Sequence, residues 1–196
     1  NMNGLQMAGI ANITASKLNG VQIALCNYAT QARGLQIGLV NYYKEDMKGF
    51  QLGLVNANPD TRVQMMVYGG NATPANIGVR FKNQLFYTIL GIGSMYQGLN
   101  DKFSASASYR AGLSFTLYKG LSISGDLGYQ HIEAFDNKDE VIPKRLYALQ
   151  ARANLEYQFT RKFGIFATGG YGLTRFYNKS SNYDKGAIIE AGIVLF

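Results

Sequence analysis

The chain has 196 residues, a formal net charge of +7 and only 16% charged residues, below the roughly 25% usual for soluble domains. A single cysteine, Cys26, and a single histidine exclude an intrachain disulfide and a zinc cluster built from Cys and His. No apolar run reaches the roughly eighteen residues of a membrane helix, which leaves a β-barrel, whose apolar residues are diluted by alternation, as the way for so weakly charged a chain to enter a membrane.

The first third of the chain repeats one phrase: GLQMAGIAN, GVQIALCN, GLQIGLVN, GFQLGLVN and VQMMVYGGN. Glutamines recur at Gln6, Gln22, Gln36, Gln51 and Gln64, and asparagines at Asn12, Asn27, Asn41, Asn56 and Asn71, a period of about fifteen residues. So short a period means stacked coils, none able to bury an apolar face alone. Within a unit, Leu35, Ile37 and Leu39 alternate with Gln36, Gly38 and Val40, a strand signal. A meander of hairpins would not need equivalent residues in every strand. A parallel β-solenoid would, because it stacks Gln on Gln and Asn on Asn in hydrogen-bonded ladders. The ladders are therefore read as structural rather than as a ligand site, and Cys26 as filling a small packed position. The opening NMNGLQ lies inside the repeat, so further coils are expected upstream.

From Val63 the pattern changes to long alternating segments. In SASASYRAGLSFTLY, Ala107, Tyr109, Ala111 and Leu113 oppose Ser106, Ser108, Arg110 and Gly112. Such runs reach about 14 residues, against about 5–6 in an average soluble strand. Strands are predicted near 76–82, 85–97, 103–118, 120–133, 145–159, 162–177 and 185–196, with Val63–Gly70 completing the even number that bacterial barrels use. Connections alternate: Lys82–Gln84, Lys119–Gly120 and Thr160–Lys162 are tight, whereas Asp136–Lys144 and Asn178–Asp184 are longer and polar, with Gly98–Lys102 intermediate. Short periplasmic turns opposite longer external loops are the pattern of outer-membrane barrels. Tyr118, Phe159 and Phe163 would form one aromatic girdle and Tyr147, Phe176 and Tyr177 the other.

Strand parity turns Arg80, Arg110 and Arg152 inward with Asp126, Glu156 and Glu190. Buried charges persist only when paired, so a structural ion-pair network is expected. His131 and Glu133 share a strand end, a weak signal for a lipid-modifying hydrolase. No phosphate loop, metal-ligand spacing or nucleophile elbow occurs, and no cofactor is implied. The basic residues are scattered, which favours anionic lipid over nucleic acid.

The GLQIGLVN phrase resembles the tandem surface repeats of outer-membrane and surface proteins in Bacteroidota and spirochaetes, over roughly residues 3–71. That resemblance implies a cell-envelope location and no chemistry. The closing AIIEAGIVLF resembles the C-terminal signal of barrel assembly, although Glu190 shares parity with Phe196. The sequence thus predicts an all-β protein: a short parallel β-solenoid over residues 1–62, then an antiparallel eight-stranded transmembrane β-barrel over residues 63–196, in the bacterial outer membrane. The expected function is non-enzymatic anchoring of a protein-interaction module, with outer-membrane lipid and another envelope protein as partners. An accessory role in a larger transport or insertion complex is the alternative, and a lipid-modifying enzyme a second.

Overall fold

The computed structural model of the chain describes residues 1–94, 103–135, 145–177 and 182–196. It separates into two compact units, residues 1–62 with 81–84, and residues 63–80 with 85–196. The connections Gly98–Lys102 and Asp136–Lys144, and most of Asn178–Asp184, lie outside the described residues.

The first unit is a parallel sheet of five strands in the order β1 (Met2–Met7), β2 (Ala11–Ile23), β3 (Cys26–Ile37), β4 (Val40–Leu52) and β5 (Val55–Ala57). Its register superposes the repeats: Gln6 pairs with Gln22, Gln22 with Gln36 and Gln36 with Gln51, while Asn12, Asn27, Asn41 and Asn56 pair in the same way. Parallel neighbours ordinarily need a crossover of a dozen residues or more. Here Ala24–Leu25 alone joins β2 to β3, so each strand must double back within its own length. One place where it bends is a glycine column, Gly20, Gly34 and Gly49, with φ of 141°, 132° and 148°. A Cβ on Gly34 would lie 2.0 Å from the carbonyl oxygen of Gly20, so the stack requires glycine there. A turn closes the unit, in which the Asn58 backbone N–H donates to Thr61 Oγ1 at 2.7 Å and Asn58 Oδ1 accepts from the Asp60 N–H at 2.8 Å.

The second unit is a closed barrel of eight strands: β6 (Arg62–Gly70), β7 (Ala75–Asn83), β8 (Phe86–Ser94), β9 (Ser104–Tyr118), β10 (Leu121–Ala134), β11 (Arg145–Thr160), β12 (Phe163–Phe176) and β13 (Asn182–Leu195). Each strand neighbours the next, and β13 closes on β6 antiparallel, from Glu190 opposite Gly70 to Leu195 opposite Met65. Closure leaves no sheet edge, the condition for strands in a hydrocarbon layer. The predicted strand segments agree with the eight strands to within a few residues at each end. Three tight turns share one rim, with Gln84 (φ 39°) and Gly120 (φ 79°) taking the left-handed conformations two of them need. Strand β6 starts, and β13 ends, at this same rim.

Alternation sets what faces outward. Along β11, Leu149, Ala151, Ala153, Leu155 and Tyr157 are exposed, while Gln150, Arg152, Asn154 and Glu156 are buried. The outer wall carries Ile77, Ile92, Leu127 and Ile189, each more than half exposed.

Candidate functional site

Two sets of buried polar groups could carry function, one in each unit. In the first, each amide serves its own copy in the next strand. Asn12 Nδ2 donates to Asn27 Oδ1 at 3.0 Å, Asn27 to Asn41 at 2.9 Å and Asn41 to Asn56 at 2.9 Å. The glutamines do the same in the opposite direction: Gln22 Nε2 to Gln6 at 3.0 Å, Gln36 to Gln22 at 2.8 Å and Gln51 to Gln36 at 2.9 Å. The asparagines also reach the bends between strands, Asn12 to the Ile23 carbonyl at 3.0 Å and Asn27 to that of Ile37 at 2.7 Å. These groups are inside and spoken for, so a ligand would have to displace one from its neighbour.

Gln64 and Asn71 leave the ladder. Gln64 lies in the barrel lumen, where its Oε1 accepts from Arg80 Nε at 2.6 Å. Asn71, in the turn after β6, clasps β13 through Ile189 N–H at 2.8 Å and the Ala187 carbonyl at 2.7 Å. The turn at Asn58–Thr61 ends the parallel stack before either residue, and β6 then pairs antiparallel with β13. Cys26 is exposed rather than packed. It belongs to an outward row with Ala11, Val40 and Val55, because parity with the buried Asn27 turns it away from the interior. A second outward row holds Tyr28 and Tyr42, stacked with centroids 5.7 Å apart.

In the barrel, the six charged residues singled out by parity are all buried and converge in the lumen. Arg80 grips Glu156 with both terminal guanidinium nitrogens, Nη1 and Nη2, at 2.6 and 3.0 Å. Arg110 holds Asp126 at 2.8 Å through Nε and again through Nη2. Asp126 also accepts from the Tyr87 hydroxyl at 2.7 Å and from Asn154 at 2.8 Å. Arg152 and Arg110 share Glu190, at 3.2 and 3.7 Å. Apolar side chains pack around these pairs: Met66, Tyr68, Tyr87, Ile89, Phe166 and Val194 form one cluster, in which Phe166 pairs directly opposite Glu156 and Ile89 opposite Arg110, and Ile132, Ala134, Leu146 and Ala148 form another. Side chains fill the lumen, as expected of so small a barrel.

The aromatic girdles need one revision. Phe159 stacks on Phe163 at 6.0 Å, and Tyr147 meets Tyr177 at 5.1 Å. Phe176 instead packs against the inner cluster of Ile132 and Leu146, since it pairs directly opposite the inward Leu146. Phe196 likewise packs inward.

His131 and Glu133 sit on the outer wall near the other rim. His131 Nδ1 contacts the Tyr177 hydroxyl at 2.7 Å, His131 Nε2 lies 3.4 Å from Glu133, and Arg145 donates to Glu133 at 3.1 Å. Loss of surrounding water, and then the hydrogen bond with the Tyr129 phenol, pushes the Tyr177 hydroxyl up to about 12. Among the described residues no group of three or more His, Cys, Asp or Glu could hold a metal.

A closed, even-stranded antiparallel barrel with an apolar wall, aromatic ends and a polar, filled lumen is the architecture of the bacterial outer membrane, and this chain is an outer-membrane barrel. No protein-family model matches the chain, and no curated protein does. Among solved structures it is similar to a de novo designed transmembrane β-barrel (TM-score 0.43, 14% identity, covering 68% of this chain and 91% of the design). It is also similar to the N-terminal β-barrel domain of Pseudomonas aeruginosa OprF (TM-score 0.42, 17% identity, 68% and 93% covered). The Yersinia pestis outer-membrane protein Ail gives a TM-score of 0.42 and 15% identity, with 69% and 99% covered.

Proposed function

We propose that the chain is a non-enzymatic outer-membrane anchor whose first unit, a short β-solenoid, is a protein-interaction module of the cell envelope. The observation that supports this reading is the in-register parallel stack joined by two-residue connections, which a coiled path satisfies. Strand β1 ends the sheet, pairing with β2 on one side. The filled lumen speaks against conduction, and the consumed amides speak against a small-molecule site. Because β6 begins at the tight-turn rim, and short turns face the periplasm in such barrels, we assign the solenoid to the periplasm.

The test is a detergent pull-down of the full chain. A protein recovered at fixed stoichiometry, lost when residues 1–57 are deleted and cross-linked from a photoreactive residue at Asn3, supports the module. A partner that stays with the barrel alone overturns it. Lipid A from a deletion strain should be unchanged; altered acylation would restore the enzyme reading.

A further inference from the structure

The first unit buries its ladder amides, with Leu18, Ala29 and Ala32 also inside, and carries most of its other aliphatic residues outside, where they are not evenly spread. Leu25, Leu39 and Leu54 line the bend between consecutive strands, and Phe50 and Leu52 flank it at 79% and 59% exposure. Every charged side chain of residues 1–57 lies at or beside the other bend: Lys17, Arg33, Lys44, Glu45, Asp46 and Lys48. The cross-section is therefore amphipathic, with an apolar nose and a charged tail. We propose that the nose is immersed in one leaflet of the membrane, so that the repeat unit is itself a monotopic lipid-binding element.

Four observations select lipid as the occupant. First, the backbone of the nose is satisfied between its strands. At the bends, backbone groups bond from strand to strand, as in Ala24 N–H to the Ile37 carbonyl at 3.1 Å and Val40 N–H to that of Leu25 at 3.0 Å. The buried asparagines add donors to the same carbonyls, and a bilayer tolerates bent backbone only when it is satisfied in this way. Second, the extended leg from Val21 to Ile23 spans about 7 Å at the usual rise of a strand, within the roughly 5–10 Å to which interfacial elements sink into one leaflet. Third, the stacked Tyr28 and Tyr42 rings lie between nose and tail, where aromatic side chains sit at a membrane interface, and the tail carries four basic groups against two acidic ones, complementary to anionic headgroups. Fourth, only Asn58–Thr61 separates β5 from the first strand of a barrel already in the bilayer, so the lipid is held within reach.

Cys26 supplies the probe, being exposed and in an outward row of the nose. The full chain is placed in nanodiscs of phosphatidylethanolamine and phosphatidylglycerol, with an environment-sensitive fluorophore on Cys26. Spin-labelled acyl chains should remove most of its emission, and aqueous iodide should have little effect. The same fluorophore on Lys44→Cys, in a Cys26→Ala background, should show the reverse. Leu127→Cys, on the barrel wall, reports in parallel whether the barrel itself is inserted. Quenching of the Cys26 probe by iodide but not by lipid, with Leu127→Cys still quenched by lipid, would overturn the proposal. Protection from both quenchers would overturn it too, showing that protein covers the nose.

Discussion

Both units bury polar groups and turn most of their aliphatic residues outward, with smaller apolar clusters inside each, yet they satisfy the buried polar groups by different means. In the parallel stack, ladder partners are equivalent residues 14 to 16 positions apart, and one amide both donates and accepts. Translation along the stack makes a single residue type sufficient, so the interior stays neutral. In the barrel, neighbouring strands run antiparallel and bring unlike positions together. Arg80 meets Glu156, 76 residues away, and satisfaction there requires complementary charges. The repeat solves a local problem over and over; the barrel solves a global one once. Damage should therefore spread differently in the two.

The sharpest break in that comparison is Arg110→Met. Arg110 is 1% exposed and bonds Asp126 twice, so its loss strands a buried carboxylate at a cost of about 3–5 kcal/mol. Heat-modifiable migration in detergent should shift to a markedly lower temperature. Adding Asp126→Leu should recover much of the loss, because apolar replacement of a whole buried pair is often neutral. Failure of the double variant to recover would mean that Asn154 and Tyr87, which also bond Asp126, matter more than the ion pair.

Next comes Gly34→Ala. Its φ of 132° and the close approach to Gly20 make the backbone strain alone worth about 1–3 kcal/mol. The effect should appear as hydrogen exchange across β2–β4, with the barrel's gel shift unchanged. Gln36→Leu should act more mildly within the same range, since it leaves Gln22 without its donor and Gln51 without its acceptor, a cost of about 1–3 kcal/mol. If exchange rises equally in all five strands, the stack is one cooperative block; a rise confined to β2–β4 would show a nearest-neighbour array.

Much of the barrel was legible because parity is unambiguous over strands as long as Arg145–Thr160, and a charge on one face of such a strand can only be lumenal if the other face is aliphatic. The ladders were legible because the register is written in the repeat. Which face of the repeat points inward was not. Alternation gives two faces, and in water the aliphatic one belongs inside; a surrounding that sequence does not record makes the other arrangement stable. Cys26 was misplaced for that reason. Gln64 and Asn71 extended the phrase past its structural end, although one sign was available. Gly4, Gly20, Gly34 and Gly49 each stand two residues before a ladder glutamine, and Arg62 stands two before Gln64. Without that glycine the chain cannot take the bend that starts another coil.

The finest test of the comparison costs the fold little and asks which compartment each region meets. In a Cys26→Ala background, Arg145→Cys marks one rim of the barrel, Lys119→Cys the tight-turn rim and Lys44→Cys the charged tail of the repeat unit. All three side chains are exposed, and the one pair broken, Arg145 with Glu133, is an exposed one of the kind that contributes little. A membrane-impermeant maleimide added to intact cells should label position 145 alone. Positions 119 and 44 should react only after the outer membrane is permeabilised, because β6 starts where the tight turns lie and the residues before it share that side. Labelling at 44 with 119 protected would mean that the chain crosses the bilayer once more before Val63. Labelling at 119 but not at 145 would invert the barrel.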